Sequence, residues 1–114
     1  MDDDEFARGF VRTVLERAGF DVHEAEDMAG ALSSMPIAHP HAVVTDWNLP
    51  DGDGGILART LHHAKADLPV ILITGAAAGS EPLVDDSVGE FEAILYKPFS
   101  PSQLERAVRA AIYH

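Results

Sequence analysis

The sequence predicts an α/β domain, a parallel sheet held between helices. Three observations predict it. Segments with helical periodicity alternate with short apolar runs and turns along the chain. The runs Ala42-Val43-Val44-Thr45 and Val70-Ile71-Leu72-Ile73 are short, β-branched and nearly uniformly apolar, as strands covered on both faces are. The length of 114 residues, 46% of them apolar, suits one core and one domain over residues 1–114.

Each element follows from its residues. Phe6, Phe10, Val11, Val14, Leu15 and Ala18 share one helical face, with Asp3 or Asp4 placed to cap its start and Gly19 to end it. Phe20 to Ala25 reads as a short strand, with Phe20 and Val22 on alternate positions. Asp27 caps a helix carrying Met28, Ala31, Leu32 and Met35, and Pro36 is expected to stop it. After the run 42–45 comes a Gly/Asp loop from Asp51 to Gly55, then a helix with Ile56, Leu57, Leu61 and Ala64. The run 70–73 leads into a small-residue loop from Gly75 to Gly79, and a short helix is expected from Glu81 to Val88, with Pro82 in its first turn. Ala93 to Tyr96 forms the last strand. Ser100-Pro101-Ser102-Gln103 is a capping box with Pro at the first helical position, and Leu104, Ala107, Val108, Ala111 and Ile112 continue as an apolar stripe.

Charge and composition exclude several functions. Eight Lys+Arg against 19 Asp+Glu give a net charge of −11, which repels phosphate backbones and anionic membrane surfaces. No direct nucleic-acid or membrane binding is therefore expected. Cysteine is absent, so there is no disulfide, thiolate nucleophile or Cys-ligated zinc. No apolar run reaches the ~18 residues of a membrane span, and the acidic start does not resemble a signal peptide. A cytoplasmic location is expected.

Chemistry converges on the ends of the strands. Asp46, Thr74 and Lys97 each follow one of the apolar runs, and Asp2 and Asp3 precede the first helix. In an open parallel sheet these groups meet at one edge, where ligands bind. Two carboxylates ~5 Å apart repel by about 3 kcal/mol at an effective dielectric near 20, so such a cluster takes up a proton or a cation. Oxygen-only ligands favour a hard ion such as Mg²⁺. A carboxylate, a hard cation and a lysine together can hold a phosphoryl group, and a carboxylate can itself be the nucleophile.

Four segments then match a known family: Asp2-Asp3, Val43-Val44-Thr45-Asp46-Trp47-Asn48-Leu49-Pro50 with Asp53-Gly54, Ile73-Thr74-Gly75, and Lys97-Pro98-Phe99. In this order and spacing the chain resembles the receiver domain of two-component response regulators, including the chemotaxis receiver. The resemblance implies a flavodoxin-like doubly wound parallel sheet. It implies that Asp46 is the phosphoacceptor, that Asp3, Asp46 and the Asn48 carbonyl are Mg²⁺ ligands, and that Asp2 acts through water. It implies that Lys97 and Thr74 contact phosphoryl oxygens and that the bond before Pro98 is cis. The donor would be a histidine kinase or a histidine phosphotransfer protein. Asp46 would be consumed as an acceptor rather than turn over as an enzyme.

Three departures stand out. Only Met1 precedes Asp2, where receivers carry an apolar first strand of about five residues, so a receiver-type sheet lacking its first strand is expected. Ile94 occupies the position usually held by an aromatic that turns inward with the Thr. Gly79 to Glu92 does not align with the usual helix and turn.

Other chemistries fit less well. An EF-hand frame starting at Asp46 needs an oxygen ligand, Gly and Glu where the chain has Pro50, Asp51 and Leu57. His39, His41, His62 and His63 lack metal-site spacing, and no acidic residue is spaced with them. Trp47 is expected at the lip of the site. A Mg²⁺-dependent phosphohydrolase would want an acid/base aspartate two residues after Asp46, where Asn48 stands. The expected function is a single receiver domain without an output domain that signals by protein contact. The alternative is a phosphate-independent pseudo-receiver that only binds partners.

Overall fold

The apolar runs form the centre of the molecule because both of their faces need cover. The structure is a computed structural model and describes residues 5–74, 89–97 and 99–113. In chain order the described elements are α1 (Glu5–Arg17), α2 (Met28–Ala38), β1 (Val43–Asp46), β2 (Asn48–Leu49), β3 (Gly52–Asp53), α3 (Gly54–Ala64), β4 (Val70–Thr74), β5 (Ala93–Tyr96) and α4 (Pro101–Ile112). Strands β1, β4 and β5 form a parallel sheet in that order, while β2 and β3 pair as a separate antiparallel hairpin.

All five residues of β4 are buried. Ile71 and Ile73 pack with Leu15 of α1 and Leu104, Val108 and Ala111 of α4. Val70 packs on the other layer with Leu57, Ala58 and Leu61 of α3, joined by Ala31, Leu32 and Met35 of α2. The two-residue period of the strand thus feeds two separate cores. Each buried Leu, Ile or Val side chain stabilises by about 1.5–3 kcal/mol. No helix among the described residues is long and apolar enough to cross a membrane.

Caps hold the helices in place. The Asp27 carboxylate accepts from the Gly30 N–H at 2.7 Å, and Asp51 accepts from the N–H groups of Met28 and Ala29 at 2.8 and 3.0 Å. Those backbone bonds hold the Asp51 carboxyl below its ordinary pKa. Ser100 and Gln103 form the expected capping box. Arg109 of α4 donates to the Ala18 carbonyl at 2.9 Å, and its guanidinium lies 5.2 Å from the Phe20 ring centroid.

Several sequence expectations are corrected. Residues 20–25 form no strand, although Phe20 and Val22 are half-buried while Asp21 and His23 are exposed. The alternation is present, and no strand among the described residues pairs with it. Helix α2 does not stop at Pro36 but runs through it to Ala38. Pro36 lies in the last turn, where losing one N–H removes a single helical bond, and His39 closes the helix by donating to Met35 at 3.0 Å. The loop after Asp46 is not wholly irregular, because it contains the β2–β3 hairpin. The helix expected over 81–88, the caps Asp3 and Asp4 and the peptide at Pro98 lie outside the described residues.

His62 has the acidic partner that its sequence spacing hides. Its Nδ1 lies 2.6 Å from Glu90 Oε2 and its Nε2 lies 2.8 Å from the Leu68 carbonyl. Two acceptors are satisfied together only by the doubly protonated ring. Partial burial pulls the pKa down, but the Glu90 hydrogen bond, the Leu68 carbonyl and the Glu90 charge outweigh it, and the net direction is up. A raised folded pKa gives stability that is complete below the unfolded value near 6.5 and lost as pH rises through the folded value. Thermal melts between pH 5.5 and 8.5 will therefore show a fall in midpoint that is shallower in His62→Gln; parallel slopes would refute the clamp.

Gly54 sits where the hairpin meets β1. A Cβ there would lie 2.8 Å from the Asp46 carbonyl oxygen and 3.3 Å from the Trp47 Cα. The contact is with backbone, which cannot swing aside. Gly54→Ala will cost about 1–3 kcal/mol, read as a lowered denaturant midpoint at unchanged slope.

Candidate functional site

Parallel, in-register pairing brings three strand ends to one edge. Asp46 lies opposite Ile73, Ile73 opposite Leu95, and Thr74 opposite Tyr96. The Lys97 N–H donates to the Thr74 carbonyl at 2.8 Å and carries the ladder one residue beyond β5. Lys97 is thereby fixed beside Thr74, with its side chain reaching across the end of β4. Its Nζ lies 3.7 Å from Asp46 Oδ2. That distance exceeds a hydrogen bond, so the contact is an attraction between charges. The Asp46 side chain is 13% exposed and that of Lys97 33%, so both charges reach solvent at the rim.

The Asp46 carboxylate is oriented by its own loop. Oδ1 accepts from the Trp47 N–H at 2.8 Å, leaving Oδ2 toward Lys97. The Gly54 N–H donates to the Trp47 carbonyl at 2.7 Å, and Asn48 pairs with Asp53. Leu49, 7% exposed, anchors the hairpin in the α2–α3 core. Asp51 ties the same loop to the first turn of α2. The loop that carries Asn48 is thus held at its base by Gly54, in its middle by Leu49 and at its tip by Asp51.

Of the residues predicted for the site, Asp46, Thr74 and Lys97 share one sheet edge, with Asn48 exposed two residues beyond Asp46. Thr74 is 2% exposed. Asp2 and Asp3 lie outside the described residues, and no group of three or more potential metal-ligating side chains occurs among the described ones. Ile94 is half-buried and pairs with Leu72, one register step behind Leu95. Trp47 is half-buried at the site rather than in either core. The roles of the Trp47 N–H, Gly54 and Asp51 are not visible in sequence. Asp51 reads there only as a turn former, since nothing local says that its carboxylate reaches residues 28 and 29.

Comparison with known proteins agrees with this geometry. The response regulator receiver domain family matches residues 1–109. The KDP operon transcriptional regulatory protein KdpE of Escherichia coli (strain K12) is 32% identical over 112 residues, covering 98% of this chain and 49% of the relative. The chain spans about half or less of the curated relatives it matches. Among solved structures, the receiver domain of NtrX from Brucella abortus superposes with a TM-score of 0.87 at 24% identity, covering 97% of this chain and 93% of that one. The response regulator TrrA from Thermotoga maritima, solved in complex with Mg²⁺-BeF, gives 0.84 at 23% identity, covering 96% and 93%. Both likenesses concern the fold, a flavodoxin-like parallel sheet flanked by helices. With its sheet, its converging strand ends and a family match across nearly its whole length, the chain belongs to the response regulator receiver domains of two-component signalling.

Proposed function

We propose that residues 1–114 act as one receiver unit that accepts a phosphoryl group on Asp46 from a phosphohistidine. The observation that carries this reading is the approach of Lys97 Nζ to Asp46 Oδ2 at 3.7 Å, at the sheet edge that also holds Thr74. An Asp46 carboxylate oxygen attacks phosphorus, the P–N bond to the donor imidazole breaks, and an acyl phosphate forms while the imidazole leaves with the bond's electron pair. The incoming group is anionic and so is the acceptor. Lys97 offsets that repulsion at the phosphoryl oxygens, and the Thr74 hydroxyl is the neutral donor at the same edge.

Mg²⁺ fits the donor set in kind. The Asp46 carboxylate and the Asn48 carbonyl supply hard oxygens, with Asp3 as a further ligand and Asp2 acting through water. Mg²⁺ typically keeps several waters and takes only one or two carboxylates. Bound there, the ion would neutralise charge on the phosphoryl oxygens. The donor is a histidine kinase or a histidine phosphotransfer protein, and the readout is contact with another protein. The net charge of −11 suits a partner with a basic face.

Incubation with acetyl phosphate and Mg²⁺ will give an acid-stable, base-labile adduct that is lost in Asp46→Asn and suppressed by EDTA. Labelling that persists in Asp46→Asn, or none in a folded wild-type chain, would overturn the reading. The latter result would leave a phosphate-independent binding module. Lys97→Gln will slow labelling by about 100-fold without shifting the thermal midpoint much, because its ion pair is partly exposed.

A further inference from the structure

The tip of the β2–β3 hairpin is fastened to a helix from an earlier part of the chain. Asp51 makes the connection with both carboxylate oxygens. Its Oδ1 accepts from the Met28 N–H at 2.8 Å and its Oδ2 from the Ala29 N–H at 3.0 Å. Helix α2 already has a cap of its own, because Asp27 accepts from the Gly30 N–H at 2.7 Å. Asp51 therefore takes up two further N–H groups at an exposed place, where water could serve them equally well. A second contact joins the same two elements. A Cβ on Gly52 would lie 2.9 Å from Met28 Cε, so the hairpin backbone rests against the Met28 side chain.

The hairpin needs such a hold. Each of its strands has two residues, and they pair at two positions, Asn48 with Asp53 and Leu49 with Gly52. A two-stranded ladder that short is not stable by itself. Leu49 is buried, but Asn48 is exposed. On one side of Asn48 the chain is fixed by the Gly54 N–H, which donates to the Trp47 carbonyl at 2.7 Å. On the other side it is fixed by Leu49 and by the tip at Asp51. The phosphoacceptor reading makes the Asn48 carbonyl a Mg²⁺ ligand, and Mg²⁺ tolerates little departure from octahedral geometry. A carbonyl that must first be ordered binds the ion less tightly, because the entropy of ordering opposes binding.

We infer that Asp51 is a positioning residue for the metal: by tying the hairpin tip to the first turn of α2, it holds the Asn48 carbonyl in place and sets the affinity of the site for Mg²⁺. Asp51 touches neither the ion nor the phosphoryl group and acts through β2. Its loss raises the Mg²⁺ concentration that phosphorylation needs. The rate at saturating Mg²⁺ stays nearly unchanged, since Asp46 keeps its bond from the Trp47 N–H and its contact with Lys97. An asparagine in its place keeps one accepting oxygen and hence one of the two bonds. This role of Asp51 rests on the reading of Asp46 as a Mg²⁺-dependent phosphoacceptor.

The test combines calorimetric titration of the full chain with MgCl₂ and initial rates of acetyl phosphate labelling across Mg²⁺ concentrations. Asp51→Ala should weaken Mg²⁺ binding about 10-fold and raise half-saturating Mg²⁺ by the same factor, with the plateau rate within about twofold of wild type. Asp51→Asn should fall between the two. With no metal added, Asp51→Ala should speed amide hydrogen exchange about 10-fold within 48–54 and leave β4 unchanged. Asp27→Ala controls for lost stability, because it removes a bond from the same helix start without touching the hairpin. It should lower the thermal midpoint and leave Mg²⁺ affinity unchanged. Should Asp51→Ala not fold, Asp51→Asn decides. Equal Mg²⁺ affinity in wild type and the Asp51 variants, or equal weakening by Asp27→Ala, would overturn the role of Asp51. So would a fall in plateau rate at unchanged half-saturation, or a wild type that binds no Mg²⁺. A wild type that binds Mg²⁺ but takes no label would overturn the phosphoacceptor reading alone, since calorimetry still compares the variants.

Discussion

Everything at the functional edge depends on the pairing of β4 with its two neighbours. β4 is buried along its whole length, so its backbone groups have no water to fall back on and its register with β1 and β5 is strongly held. A slip of one residue would turn Ile71 and Ile73 away from the α1–α4 core. The same slip would carry Thr74 out of line with Asp46 and Lys97. Core packing and site geometry are therefore enforced by one constraint.

Around that constraint the loop after Asp46 is unusually well tied down. It returns on itself through the β2–β3 hairpin, approaches β1 closely at Gly54 and ends its reach on the N-terminus of α2 through Asp51. A carboxylate accepting from N–H groups at a helix start also meets the favourable end of the helix dipole. The loop and the start of α2 are consequently tied together through Asp51. His62 makes a similar bridge on the other side, joining α3 to the turn at 89–90 that leads into β5.

Among the described residues no strand pairs with β1 on the side away from β4. On the β5 side, α4 is capped at its start and packs through Leu104, Val108 and Ala111. Next to β1 lie a cavity and a stretch of alternating burial, residues 21–25 of which make no backbone–backbone hydrogen bond among the described residues.

Much was legible in the residues themselves. The uniformly apolar runs marked β4 and β5, the Ser100–Gln103 box marked the start of α4, and the order Asp46, Thr74, Lys97 on successive runs marked the edge where chemistry would gather. These signals are local, and each follows from the stereochemistry of a few neighbouring residues. Other features were not legible for the complementary reason. Whether 20–25 becomes a strand depends on a partner strand, whether Pro36 ends α2 depends on how much helix remains beyond it, and Glu90 reaches His62 across 28 positions. Asp51 likewise finds α2 only once the chain has folded back. Periodicity and capping chemistry thus determined the elements and pointed to Asp46, Thr74 and Lys97 as groups of one sheet edge, whereas the distances between those groups were decided by packing, which no local pattern encodes.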